Sequence, residues 1–114
     1  YVTQENPRVN IVSAARWGDF EPLTNPFDQL HLNPSRLVAQ IRRRLRGFGD
    51  DDWLLALGDP AIIGVAFALA AEQNHGRIAV LKWDKMERIY YPVRILLRGG
   101  ISNLSPDEEK RSNE

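Results

Sequence analysis

The chain has 114 residues, with 15 basic and 15 acidic side chains, a formal net charge of zero and no cysteine. This length corresponds to one domain, and a hydrophobic content of 43% is enough for a buried core without disulfides or structural metal. Missing cysteine excludes thiol chemistry and cysteine-ligated zinc. Zero net charge argues against a general attraction to polyanions. The longest uncharged apolar run, residues 61–71, is about half of a bilayer span, so we expect no membrane partner.

Residues 1–34 are rich in turn formers, and only two segments in them have the pattern of a strand. Residues 8–12 place Val9 and Ile11 on one side, as in a half-buried strand. Residues 19–23 are predicted to form a second, weaker strand that ends at Pro22. Both segments are therefore expected to extend the sheet.

The first helix is predicted over residues 34–47. Asn33 can accept hydrogen bonds from free helix N–H groups, and Pro34 suits the first helical position because no N–H is needed there. Apolar residues then recur at spacings of three or four, which is typical of an amphipathic helix; they are Leu37, Val38, Ile41, Leu45 and Phe48.

A buried strand followed by a second helix is predicted next. Residues 53–57 are continuously apolar, as in a strand covered on both faces. Asp59 and Pro60 repeat the cap signal, and helix 60–75 follows with almost no polar face. We expect this helix to be buried all round, by its own domain or by a partner subunit. Its small residues are expected to face the sheet; they are Ala61, Gly64, Ala68 and Ala71.

Residues 77–83 and 88–97 alternate on either side of a polar connection, which is typical of a β-hairpin. Pro92 cannot donate a ladder hydrogen bond, so the last strand is placed at a sheet edge. The alternation assigns Trp83 and Tyr91 to the core and leaves Tyr90 for the other face.

These elements predict an α/β (or α+β) fold with a small mixed sheet of four to five strands. It contains one right-handed βαβ unit, since strands 53–57 and 77–83 are joined by a helix, together with two helices and a C-terminal hairpin. Residues 1–98 form the single domain, and residues 99–114 are a polar tail.

Two residues at the end of the buried strand are candidates for a site. Gly58 and Asp59 lie where ligands usually bind in open α/β sheets. Asp59 would there be a general base or a metal ligand, with Asp84 as the candidate partner in a small hydrolase. The alternative, which we favour, is that Asp59 only caps the following helix.

Basic residues of the first helix and of the hairpin form the other candidate surface. Bidentate arginine side chains suit phosphate or carboxylate groups, which predicts a nucleic-acid or an acidic protein partner. The competing interpretation is a solvated face neutralised in part by Asp50, Asp51 and Asp52. The residues proposed to contact a partner or nucleic acid are Arg36, Arg42, Arg43, Arg46, Lys85, Arg88 and Tyr90, with Arg44 beside them.

Apart from Asp59, no residue pattern indicates catalysis. The serines lack an activating context, and neither His31 nor His75 has a second ligand at metal-binding spacing. We therefore expect no enzyme activity, no cofactor and no metal.

Residues 51–60 have the sequence DDWLLALGDP, residues 74–77 are NHGR, and the hairpin carries LKWDK at 81–85 and RIYYPV at 88–93. In this order the motifs resemble a family of short uncharacterised proteins of tailed bacteriophages. The resemblance implies a phage origin, and hence the cytoplasm of an infected host cell or the virion. Together with the apolar second helix, it favours a non-enzymatic accessory protein that binds another protein, with self-association through helix 60–75 as one form. Nucleic-acid binding through helix 36–46 and hairpin 82–94 is the alternative.

Overall fold

The computed structural model describes residues 1–97, which adopt a mixed α+β architecture. Two short 3-10 helices, Val12–Trp17 and Leu30–Leu32, come first. The elements that follow within this range are α1 (Pro34–Arg44), β1 (Leu54–Leu55), α2 (Pro60–Gln73), β2 (Arg77–Asp84) and β3 (Ile89–Leu96). The predicted polar tail, residues 99–114, lies outside the described residues.

The three strands form a mixed sheet in the order β1-β2-β3. β1 pairs with β2 in parallel, with Leu54 opposite Val80, and α2 connects these two strands along the chain. β3 pairs with β2 in antiparallel orientation along its whole length and forms one edge of the sheet, where Pro92 was expected. The right-handed sense of the β1–α2–β2 connection stays a prediction.

The prediction of four to five strands is wrong for the described part of the chain, because the predicted N-terminal strands form turns and a 3-10 helix instead. The side-chain oxygens of Asn6 and Asn10 accept hydrogen bonds from the backbone N–H groups of Arg8 (3.1 Å) and Val12 (3.0 Å). Such local bonds favour turns over strands. Residues 8–12 therefore lead into a 3-10 helix, and the segment 19–23 contributes only an isolated bridge at Pro22.

Residues 1–4, which carried no strand prediction, extend the sheet beside β1. Val2 bridges both Leu55 and Pro22 in parallel. The N–H of Thr3 donates to the carbonyl of Leu55 (3.1 Å), and the N–H of Leu55 donates to the carbonyl of Tyr1 (2.8 Å). The β-forming residues Tyr1, Val2 and Thr3 are the signal that could have predicted this pairing.

The core lies on both sides of the sheet. One cluster packs under the helices and includes Leu37, Ile41, Leu54, Ile62 and Ile78. The other cluster is covered by the N-terminal segment and includes Val2, Ala14, Leu55, Leu81 and Tyr90. Leu54 and Leu55 thus face opposite clusters and are both buried, as predicted from the continuous apolar run.

Helix α1 forms as its caps predict, although it ends at Arg44 rather than at residue 47. The Asn33 side chain accepts a hydrogen bond from the Arg36 N–H at 3.3 Å. Leu37, Ile41 and Leu45 are fully buried, which confirms the apolar stripe.

Residues 1–97 do not bury helix α2 all round, so the prediction of burial by its own domain is wrong, and burial by a partner subunit stays a prediction. Ile62, Ala66 and Ala70, spaced four residues apart, form its buried face. Ala61, Gly64 and Ala68 are exposed instead of facing the sheet, and a Cβ atom at Gly64 would meet nothing within 4 Å. Packing against α1 and the sheet covers only one side of the helix. The remaining apolar residues of α2 are half-buried: Ile63, Val65, Phe67 and Leu69.

Candidate functional site

The turn between β1 and α2 is a helix cap. The Asp59 Oδ1 atom accepts a hydrogen bond from the Ala61 N–H at 2.9 Å, and Pro60 occupies the first helical position. Gly58 has a φ of +97°, a conformation that favours glycine. The capping interpretation of Asp59 is therefore the one that the geometry supports.

The side chain of Gln4 fills the crevice that the sequence offered for a ligand at this turn. Its Oε1 atom accepts from the Asp59 N–H at 2.6 Å, and its Nε2 atom donates to the carbonyls of Asn25 (3.0 Å) and Asp28 (2.8 Å). A Cβ atom at Gly58 would lie 2.2 Å from Gln4 Oε1. Gln4 was not a predicted site residue, because its contacts are more than 20 residues away along the chain.

An apolar groove opens farther along, beside β2, because β1 ends early. Thr3 Oγ1 accepts from the Leu57 N–H at 2.7 Å, so the chain after Leu55 turns to the N-terminal segment instead of continuing along β2. The space left between this turn, α2 and the hairpin is about 550 Å³. Its walls include Leu57, Ile63, Phe67, Val80, Trp83 and Tyr90, and we call it the β2 groove.

The backbone of β2 is open on the groove side. A hydrogen bond from the Leu97 N–H to the Gly76 carbonyl (2.8 Å) sets the alternation of the antiparallel ladder. Since every second pair is bonded, Trp83 points its N–H and carbonyl away from β3. β1 ends opposite Leu81, so nothing in residues 1–97 pairs with β2 beyond that point on the groove side.

The aromatic side chains of the hairpin lie differently from the prediction. Register places Trp83 opposite Tyr90 and Lys82 opposite Tyr91, so Trp83 and Tyr90 share one face, with ring centroids 4.8 Å apart. Tyr90 is 8% exposed and belongs to the core, whereas Trp83 and Tyr91 are 42% and 40% exposed. The Tyr91 hydroxyl donates a hydrogen bond to the Glu87 carboxylate at 2.5 Å, and this bond raises the pKa of Tyr91. Tyr90 is thus a buried groove residue rather than a free stacking platform.

Three of the five arginines within residues 36–46 already contact other parts of the protein. Arg36 pairs with the buried Asp28 at 3.2 Å, Arg42 pairs with Glu72, and Arg44 donates to the Pro22 carbonyl at 2.9 Å. The side chains of Arg43 and Arg46 are exposed and make no hydrogen bond or ion pair within residues 1–97. Lys85 and Arg88 lie exposed in the hairpin connection, where Arg88 has a φ of +56°.

Asp50 does not neutralise α1 as the sequence suggested. Its carboxylate accepts hydrogen bonds from Asn74 (2.9 Å) and Arg77 (3.0 Å), and its carbonyl accepts from Arg94 (3.2 Å). The bonds from Asn74 and then Arg77 lower the pKa of Asp50. This residue therefore ties the end of α2 to β2 and β3.

Two further findings bear on function. Among the described residues, no group of three or more histidine, aspartate or glutamate side chains is placed to hold a metal ion. Neither α1 nor α2, nor any other helix within residues 1–97, has the length and hydrophobicity needed to cross a bilayer.

The fold is that of a small mixed α+β protein, and an apolar groove lies at the end of its short parallel strand. The family model described as phage Pam3 gp32-like protein matches residues 1–97, so the chain belongs to this phage family. This match confirms the resemblance to phage proteins. Comparisons with curated proteins and with solved structures found no match.

Proposed function

We propose that this phage protein is a non-enzymatic accessory protein that binds another protein through the β2 groove. The observation that carries the proposal is the open backbone of Trp83 beside an apolar space of about 550 Å³. Apolar surface of this kind is typical of a recognition site. The partner is a protein of the host or of the phage, met in the infected cell or in the virion.

Strand addition is the binding mode that this geometry supports best. A carbonyl of an extended partner segment would accept a hydrogen bond from the Trp83 N–H, and an N–H of that segment would donate to the Trp83 carbonyl. An added strand pairs in this way with an open sheet edge. Alternate side chains of that segment would then enter the space between Phe67, Ile63 and Leu57. Backbone pairing would supply affinity, and the apolar pockets would supply selectivity.

The alternative is nucleic-acid binding through helix 36–46 and hairpin 82–94. The pairing of Arg36 with Asp28 and of Arg42 with Glu72 favours the protein partner, because arginines already engaged have fewer donors for phosphate. Arg43 and Arg46 are the exposed pair through which nucleic acid would bind.

Site-specific photo-cross-linking in infected cells separates the two functions. The photoreactive amino acid p-benzoylphenylalanine replaces Phe67 in the groove, Arg43 on α1, or Phe27 as a matched aromatic control that is 88% exposed elsewhere. We expect a protease-sensitive adduct from position 67 that is missing at position 27. Equal protein adducts at positions 67 and 27 would contradict protein binding through the β2 groove. A nuclease-sensitive adduct at position 43 would favour nucleic-acid binding.

A further inference from the structure

A second cavity lies between the first 3-10 helix and the start of β1, and its walls combine aromatic rings with carboxylates. Its volume is about 260 Å³, below the usual 300–1,000 Å³ or so of small-molecule pockets. It shares only Leu55 and Leu81 with the β2 groove. The aromatic and acidic lining residues are Tyr1, Trp17, Phe20, Trp53, Asp19, Glu21, Asp51 and Asp52.

The charged side chains that line this cavity are all acidic. Four carboxylate side chains line it, and no lysine or arginine does. Asp19 and Glu21 are exposed and their carboxylates take part in no hydrogen bond within residues 1–97. Burial, and then the charges of Asp52 and Glu21, raise the pKa of the Tyr1 phenol, which is consistent with carboxylates gathered around it.

The tryptophans of the cavity already bind guanidinium groups of the protein. Arg16 lies over the Trp17 ring at 4.7 Å and Arg94 over the Trp53 ring at 4.9 Å, and neither arginine lines the cavity. The two rings meet edge to face with centroids 6.5 Å apart. Guanidinium groups stack on such rings and also pair with carboxylates in a planar geometry, which an ammonium group does not match.

We propose that this cavity binds the guanidinium group of an arginine side chain presented by a partner protein. Aromatic walls would stack on the planar cation, and Asp19 and Glu21 at the rim would accept its hydrogen bonds. The volume admits one long side chain rather than a larger ligand. The source of the arginine rests on the proposed protein-binding function, but the site does not depend on the β2 groove. A test with an isolated arginine derivative can thus fail while the groove stands.

The test is an NMR titration of the whole chain with N-acetyl-arginine methylamide. Three tryptophans give three indole N–H signals, and Trp83 lies outside the cavity, so it serves as an internal control. We expect saturable shifts for Trp17 and Trp53 but not for Trp83. The uncharged analogue N-acetyl-citrulline methylamide should leave all three signals in place. Shifts of all three signals together, equal shifts with the citrulline analogue, or no saturable shift would overturn the proposal.

A charge-neutralising variant makes the test specific. Asp19→Asn with Glu21→Gln should weaken arginine binding on the order of fivefold, as expected for two exposed charge pairs. Glu5→Gln with Glu87→Gln removes the same charge elsewhere and should leave the affinity unchanged. The spectrum of each variant reports whether it is folded. Equal affinity of the two double variants would contradict the assigned site.

Discussion

Replacing Gln4 by methionine tests whether the crevice at the end of β1 is filled for structural reasons. Gln4 is 5% exposed, and its side chain bonds to three backbone groups, of Asn25, Asp28 and Asp59. Methionine keeps the length of the side chain but satisfies none of them. Each buried polar group left without a partner costs about 1–3 kcal/mol. The Asp28 carbonyl and the Asp59 N–H are the more enclosed, so we expect a loss of about 3 kcal/mol.

Urea denaturation measures this loss as a lower midpoint with an unchanged slope. In a domain of this size, about 3 kcal/mol corresponds to a fall in Tm of roughly 10–20 °C. Gln29→Met is the matched control, since Gln29 is exposed, and it should change the free energy of unfolding by less than about 0.5 kcal/mol. A loss below about 1 kcal/mol for Gln4→Met would refute the reasoning, because water would then be replacing the amide without cost.

Two further predictions concern stability. Gly58→Ala should destabilise the protein by roughly 2 kcal/mol or more in urea denaturation, because φ is +97° and the new Cβ would overlap Gln4. Gly64→Ala, at an exposed helical position with open space, should instead stabilise the protein by about 0.5–1 kcal/mol. If both substitutions changed the free energy of unfolding in the same direction, the different surroundings assigned to the two glycines would be contradicted. The lowered pKa of Asp50 means that its carboxylate adds stability above its ordinary pKa of 3.8, and that this stability is lost as the pH falls through the folded-state value. Asp50→Asn should therefore reduce the loss in free energy of unfolding that is measured as the pH falls from 6 to 2. A loss as large as that of the parent protein would show that other carboxylates cause the acid destabilisation.

Local signals in the sequence were sufficient for both helices and for the hairpin. Asn33-Pro34 and Asp59-Pro60 begin helices in the structure because a capping side chain and a proline act within one turn. The parallel pairing of β1 with β2 also follows from a buried apolar run and the helix after it.

Long-range contacts decided what the sequence could not. The orientation of α2 was mispredicted because nearly every position up to Glu72 is apolar, so periodicity does not distinguish one face from another. The failure at residues 8–12 has a local cause instead, because the Asn6 and Asn10 side chains accept hydrogen bonds from the backbone two residues further on and so favour turns. The exact register of the hairpin, rather than its alternation, decided that Tyr90 and not Tyr91 is buried.

The β2 groove depends on a long-range contact. It exists because Thr3 holds Leu57 away from β2, a contact between residues 54 positions apart. The aromatic hairpin residues were visible in the sequence, but their position beside an early-ending strand was not.

The central claim is that a partner segment pairs with the open edge of β2, and amide hydrogen exchange at Trp83 tests it most directly. Exchange would be measured on the chain alone and on its complex with the protein cross-linked from position 67. We expect the Trp83 amide to exchange more slowly in the complex, whereas the exchange rate of the Tyr91 amide, which already faces β2, should not change. An unchanged rate at Trp83 in the complex would contradict the claim.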